Sequence, residues 1–221
     1  MSRDRRLRGG VYVDGFNLYH AIDDLRLPYL KWVCLKRLSS RFSRGHAHQI
    51  DRIVFGTAFF PGNFEKRKRH EAYNQALEAN GVSVKLGHTT KEPIKCRSCG
   101  HQWDQPREKE TDINVALSMF DDAAQGLIDV VFLISADTDQ AATLKFLKRR
   151  FPEIKRVVVT PLGRPKSKHL RDLADANITL NADDIDACVL PAFVRPEKGR
   201  LIVRPAHYHP PDGWVHPDER P

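Results

Sequence analysis

Hydrophobic positions along this chain follow two alternating periods. Nearly continuous apolar runs occur at residues 10–13 (GVYV), 50–60 (IDRIVFGTAFF), 129–135 (DVVFLIS) and 156–161 (RVVVTP). Strands buried on both faces of a parallel sheet read this way. An alternating stretch at 82–87 (VSVKLG) and the run ITL at 178–180 predict two further strands. Apolar residues three and four apart predict helices over 18–25, 63–80, 111–125, 140–151 and 167–176, and helical spacing also runs through 29–42. Gly81 marks the end of the helix over 63–80. The helix over 111–125 is expected to bury Ile113, Ala116, Leu117, Phe120 and Ala124. Residues 88–110 show no periodicity and read as an inserted loop. From about residue 183 prolines become dense, and one small hairpin (AFVRP to RLIVRP) is expected in an otherwise extended tail. Strands alternating with helices make the fold class α/β, a Rossmann-like parallel sheet flanked by helices, with a Cys-containing insertion and a Pro-rich tail.

That order locates the acids. In open α/β folds, ligands sit outside the carboxyl ends of the strands. Asp14 follows the first strand, and Asp137 and Asp139 follow the run DVVFLIS. Asp112 opens a helix, with Thr111 before it as the expected N-cap. Four carboxylates from three segments can therefore meet at one edge. Crowded carboxylates repel unless a cation joins them, and hard oxygen ligands suit Mg²⁺ or Mn²⁺. Such an ion activates a water and clamps a phosphate for in-line hydrolysis. Each acid also has a plain structural explanation: Asp112 as a charge favoured by the helix dipole, Asp137 and Asp139 as caps, Asp14 with Asn17 as an Asx turn.

Composition adds a partner class. Lys and Arg number 36 against 28 Asp and Glu, giving a net charge of +8 and a pI near 9.4, which favours a polyanion. Basic residues group at Lys36 and Arg37, and at 66–70, 148–150 and 163–171. In the last group Arg164, Lys166, Ser167 and Lys168 open a helix at the acidic edge, where they could hold a nucleic-acid backbone. Trp103 and Phe16 could stack on bases or simply pack. Hydrophobic residues at 41% suffice for a core, but no run approaches the roughly 20 residues of a membrane span. With a charged N-terminal stretch and no signal-type run, a cytoplasmic location is expected. In that reducing compartment the pair Cys96-x-x-Cys99 points to a zinc knuckle spanning 88–106. His88 and His101 are candidates for the remaining ligands, and Cys34 or a second copy of the chain are alternatives.

Three ordered motifs, VYVDGFNLYHAI, EKETDINVALSMF and VVFLISADTDQAATLKFL, resemble the NYN domain family of PIN-like nucleases, including its bacterial LabA-like branch. The resemblance spans about residues 10–180, so a domain over 1–182 and a Pro-rich extension over 183–221 are expected. It implies a PIN-like sheet and an Mg²⁺- or Mn²⁺-dependent acidic site that cleaves RNA. By position, Asp14 and Asn17 match the first motif, Lys109 and Asp112 the second, and Ser135, Asp137 and Asp139 the third. Asp14, Asp112 and Asp137 would then be metal ligands, Asp139 would complete the site, and Asn17 would donate to the phosphate or to a ligand carboxylate. Ala136 stands where glycine is common. Ser118 stands where many relatives carry an acid, with Asp121 and Asp122 one turn late. The expected function is a metal-dependent endoribonuclease acting on RNA, presumed single-stranded. An RNA-binding module without activity is the alternative, and a phosphatase of the haloacid dehalogenase type is a distant third.

Overall fold

A computed structural model describes residues 6–59 and 62–220. Six parallel strands form the central sheet: β1 (Arg8–Asp14), β2 (Gln49–Thr57), β3 (Ser83–Leu86), β6 (Val130–Ile134), β7 (Lys155–Thr160) and β8 (Ala176–Thr179), in the order β3-β2-β1-β6-β7-β8. Each run predicted as a strand holds one, though β2 ends at Thr57, short of Ala58 and Phe59, and Phe60, the last residue of the stretch 50–60, lies outside the described residues. Chain order reverses between β1 and β6, which leaves the crevice of an open α/β sheet at their carboxyl ends.

Buried strands divide their side chains between two cores. Val11, Val13, Phe132 and Ile134 face one layer, where Leu18 and Ile22 of α1 (Gly15–Asp23), Leu38 of α2 (Leu35–Phe42) and Leu77 of α3 (Phe64–Ala79) cover them. Tyr12, Val131, Leu133 and Val158 face the other, under α4 (Thr111–Ala124), α5 (Gln140–Arg150) and α6 (Lys168–Leu173). Each fully buried Leu or Met here contributes about 1.5–3 kcal/mol of hydrophobic free energy. Gly81, at φ +81°, follows α3 as expected.

Four expectations are corrected. Helical spacing over 29–42 breaks into a 3-10 turn (Pro28–Trp32) and α2, because Val33 pairs with Val189 in an isolated antiparallel bridge. Helix α4 buries Val115, Met119 and Ala123, leaving Ile113 and Leu117 60% and 59% exposed. The helix is apolar on more than one side, so spacing alone could not choose the face. Residues 88–110 are no loop but an antiparallel ribbon, β4 (His88–Lys95) with β5 (Gln102–Lys109). Its strands bury no apolar face, so hydrophobic periodicity had nothing to register. Finally, the tail forms the expected hairpin, β9 (Phe193–Val194) with β10 (Ile202–Val203), but is not otherwise extended. It adds a short helix α7 (Ala182–Asp186) and packs Val189, Leu190, Tyr208 and Trp214 on the first core.

Candidate active site

β1 delivers Asp14 to the crevice, 5% exposed. One carboxylate oxygen caps α1 by accepting from Asn17 N–H (3.0 Å), and the other accepts from Ser135 Oγ (2.9 Å). The Asx-turn explanation is therefore true of this residue, yet incomplete. Asn17 Oδ1 in turn accepts from Ala136 N–H at 3.1 Å, and Ser135 Oγ from Asp137 N–H at 3.0 Å. These bonds tie the turn after β1 to the turn after β6. Helix α1 starts tightly against β2: a Cβ on Gly15 would lie 2.3 Å from the Gly56 carbonyl oxygen.

Asp14, Asn17, Glu108, Asp112, Asp137 and Arg164 line one open cleft with Phe16, His20 and Asp24. Burial pushes the Asp14 carboxyl above its usual range, opposed by the Asn17 and Ser135 bonds and reinforced by Asp137 and Glu108. Asp112 is pushed up to about 6, by burial first and then by the charges of Asp14 and Asp137; Gln140, 3.3 Å away, opposes the shift. The cleft thus holds carboxylates that repel one another, and Arg164, which also lines it, pairs with Asp24 at 2.9 Å.

The other expected residues lie elsewhere. Asp139 is exposed and outside the cleft; its N–H donates to Asp137 Oδ1 at 2.9 Å. Lys109 points away from the cleft and pairs with Glu92 at 2.7 Å, because alternation along β5 turns its neighbour Glu108 inward instead. Ser167 caps α6 through Leu170 N–H, and Lys166 and Lys168 are exposed outside the cleft lining. Thr111 is not the cap of α4: Glu110, at φ +76°, precedes the helix, and the Glu108 carboxylate accepts from Thr111 N–H at 2.7 Å. Glu108 and Asp24 are the cleft acids that motif matching assigned no role. Glu108 lies inside the quoted motif EKETD, so its charge at strand spacing from Lys109 was the available signal. Asp122 is buried far from the cleft, accepting from Tyr12 Oη (2.8 Å) and pairing with Arg52 (3.0 Å); Ser118 donates to the Asn114 carbonyl (2.7 Å).

The donor set suits a hydrated ion. Among the described residues no three His, Cys, Asp or Glu side chains stand close enough to grip one ion directly. Gln140 Oε1, on the residue that donates to Asp112, is buried without a partner. Mg²⁺ commonly keeps several waters and takes one or two carboxylates plus substrate phosphate. Asp14, Asp112 and Asp137 could hold such an ion, in part through water.

At the ribbon tip, Cys96 and Cys99 flank a tight turn closed by Gly100 N–H to the Cys96 carbonyl (3.0 Å). Backbone N–H groups of Cys99 and Ser98 donate to the Cys96 sulfur and lower its pKa. The structure does not bring His88 to this pair. His88 is at the opposite end of the ribbon, eight residues and so about 27 Å from Cys96 at strand rise, beside Glu110 at 3.2 Å. His101 stacks on Trp103 (ring centroids 5.8 Å), and Cys34 is buried in the core.

The model of the NYN domain matches residues 8–181, and the chain belongs to that family. Its parallel sheet is consistent with the PIN-like fold. Among curated proteins it is 27% identical over 227 residues to 6-hydroxy-3-succinoylpyridine 3-monooxygenase HspA of Pseudomonas putida, covering 85% of this chain and 72% of that protein. Among solved structures it resembles a protein of unknown function from Vibrio parahaemolyticus, with TM-score 0.54 and 19% identity over 83% of this chain and 98% of that one. This second likeness speaks to the fold alone.

Proposed function

We propose that the protein is a metal-dependent endoribonuclease. The observation that carries this is the convergence of Asp14, Glu108, Asp112 and Asp137 on one cleft at the reversal point of the sheet. Asp14, Asp112 and Asp137 would hold Mg²⁺ or Mn²⁺, directly or through water, and such an ion would supply Lewis-acid stabilisation and an activated water. Ser135 and Asn17 fix the two turns so that the carboxylates stay in place. Arg164, at the cleft, meets a phosphate oxygen of the RNA, which competes with Asp24 for its guanidinium. Membership of the NYN family supports RNA as the substrate class.

The test is cleavage of a labelled single-stranded RNA in EDTA, Mg²⁺ or Mn²⁺, beside Asp137→Asn. Metal-dependent cleavage lost in the variant is expected. Intact RNA binding with no cleavage would make the protein a binding module. A different chemistry, turnover of a small heteroaromatic acid, is favoured by the name of the Pseudomonas relative. Disappearance of a hydroxypyridine acid under air, with an electron donor supplied, would establish it.

The ribbon tip offers two thiolates for Zn²⁺, held as in a knuckle by the backbone N–H donors at Cys96. The other two ligands come from the same pair on a second copy of the chain, which makes the protein a homodimer. Elemental analysis with light scattering should give one zinc per two chains, and Cys99→Ser should abolish both the zinc and the dimer.

A further inference from the structure

Behind α1, a second cavity adjoins the cleft. Phe16 and His20 line both. The cavity measures about 90 Å³, on a scale where one water needs roughly 10–15 Å³. A void left by imperfect packing would be walled by aliphatic side chains and stay dry. This one sets the aromatic rings of Tyr19, Phe55, Tyr73 and Tyr208 beside the aliphatic Leu18, Ile22 and Val33, and it has a cationic margin. The Lys31 and Lys66 ammonium groups lie 4.5 and 5.3 Å from the centroid of the same Tyr19 ring. Arg69 lines the same chamber near Tyr208, whose hydroxyl its charge favours in the ionised form. At the wall, His70 is bonded to Thr57 Oγ1 at 2.9 Å, and burial pushes its pKa down to about 4, so its imidazole is neutral at physiological pH.

These features describe a ligand with two parts. Aromatic walls take a flat ring, whose face or edge packs on the Tyr and Phe side chains. The basic margin takes an anion attached to that ring. Neutral, hydrogen-bonding groups inside suit a heteroaromatic edge rather than a charge. Sharing Phe16 and His20 with the acidic cleft places ring and phosphate of one nucleotide in adjoining spaces.

We propose that this chamber is a base pocket. It takes the nucleobase of an unpaired nucleotide flanking the scissile phosphate, with Lys66 and Arg69 on that nucleotide's phosphate. The inference rests on the nuclease reading, and two separate readouts keep their failures apart.

The first readout is binding of the four 5′-mononucleotides, in EDTA, followed by amide NMR shifts and calorimetry. At least one should bind and shift residues of the chamber. Tyr19→Ala and Arg69→Gln should each weaken it by about tenfold or more. Lys148→Gln, remote from the chamber, should not. Thermal unfolding checks that each variant folds, and Arg69→Gln, on a half-exposed helix position, serves if Tyr19→Ala does not. The second readout is the cut-site pattern on a mixed-sequence RNA with Mn²⁺, where the wild type should prefer one base and both variants should lose that preference. Nucleotide binding without any cleavage keeps the pocket and removes the nuclease. Cleavage with no mononucleotide binding, or binding that both variants leave unchanged, overturns the pocket and keeps the nuclease. Tighter binding of 6-hydroxynicotinate than of any nucleotide also overturns it.

Discussion

Asp112 and Asp122 stand at opposite ends of one helix, α4, and the fold treats them in opposite ways. Asp122, 1% exposed, is answered by the Tyr12 hydroxyl and the Arg52 guanidinium. Along the same amino-terminal edge of the sheet, Asp129 pairs with Arg8 and Asp175 with Arg156. Asp112 sits at the carboxyl edge among Asp14, Asp137 and Glu108, where the nearest charges share its sign. A partially buried carboxylate with a cation beside it holds the fold together. One that faces other carboxylates works against the fold, and needs a ligand to account for it.

The largest expected effect would break this comparison outright. Asp14→Asn should lower metal-dependent cleavage by about 10²-fold or more, some 2.7 kcal/mol at the transition state, at a cost of no more than about 1 kcal/mol in urea unfolding, since Asn keeps one of the two accepting oxygens and relieves the repulsion from Asp137 and Glu108. Equal losses of activity and stability would place Asp14 with Asp122 as a structural acid. Asp122→Asn should do the reverse: cleavage retained, and stability down by about 1–3 kcal/mol in urea melts, because one of the two accepting oxygens becomes a donor facing Tyr12 or Arg52 and the buried ion pair with Arg52 is lost. Gly15→Ala probes how Asp14 is delivered. Its Cβ collides with the Gly56 carbonyl and the Phe55 ring, so a loss of about 1–3 kcal/mol is expected, with cleavage impaired in the fraction still folded.

The smallest effect sharpens the contrast through pH. Burial and the charges of Asp14 and Asp137 push the Asp112 carboxyl up to about 6, above its ordinary value near 3.8. The folded state therefore holds this proton more tightly, and the associated stability is complete below pH ~4 and lost as pH rises through ~6. Without added metal, Asp112→Asn should raise the melting temperature at pH 7.5 and change it little at pH 4. No rise at pH 7.5 would mean the cleft charges are already balanced. His70 runs the other way: burial holds its pKa near 4, so it stabilises above pH ~6.5 and that contribution disappears as the pH falls through ~4.

The sequence by itself determined the strands of the central sheet and their alternation with helices along the chain. Runs such as VVFLI are so apolar that only a doubly covered sheet can bury them, and sheet order then puts Asp14, Asp112 and Asp137 at one edge. Tertiary structure decided what local patterns could not express. The choice of Glu108 over Lys109 depends on which face of β5 meets the cleft, and that ribbon has no buried apolar side to reveal its pleat. The face of α4 was ambiguous because apolar residues surround it, and only packing against β1 and β2 selected Val115 and Met119. His88 and Cys96, close in sequence, part because an extended ribbon separates its ends by its full length. The chamber beside the cleft joins α1, α3, β2 and the tail, segments whose meeting arises only from burying the first core.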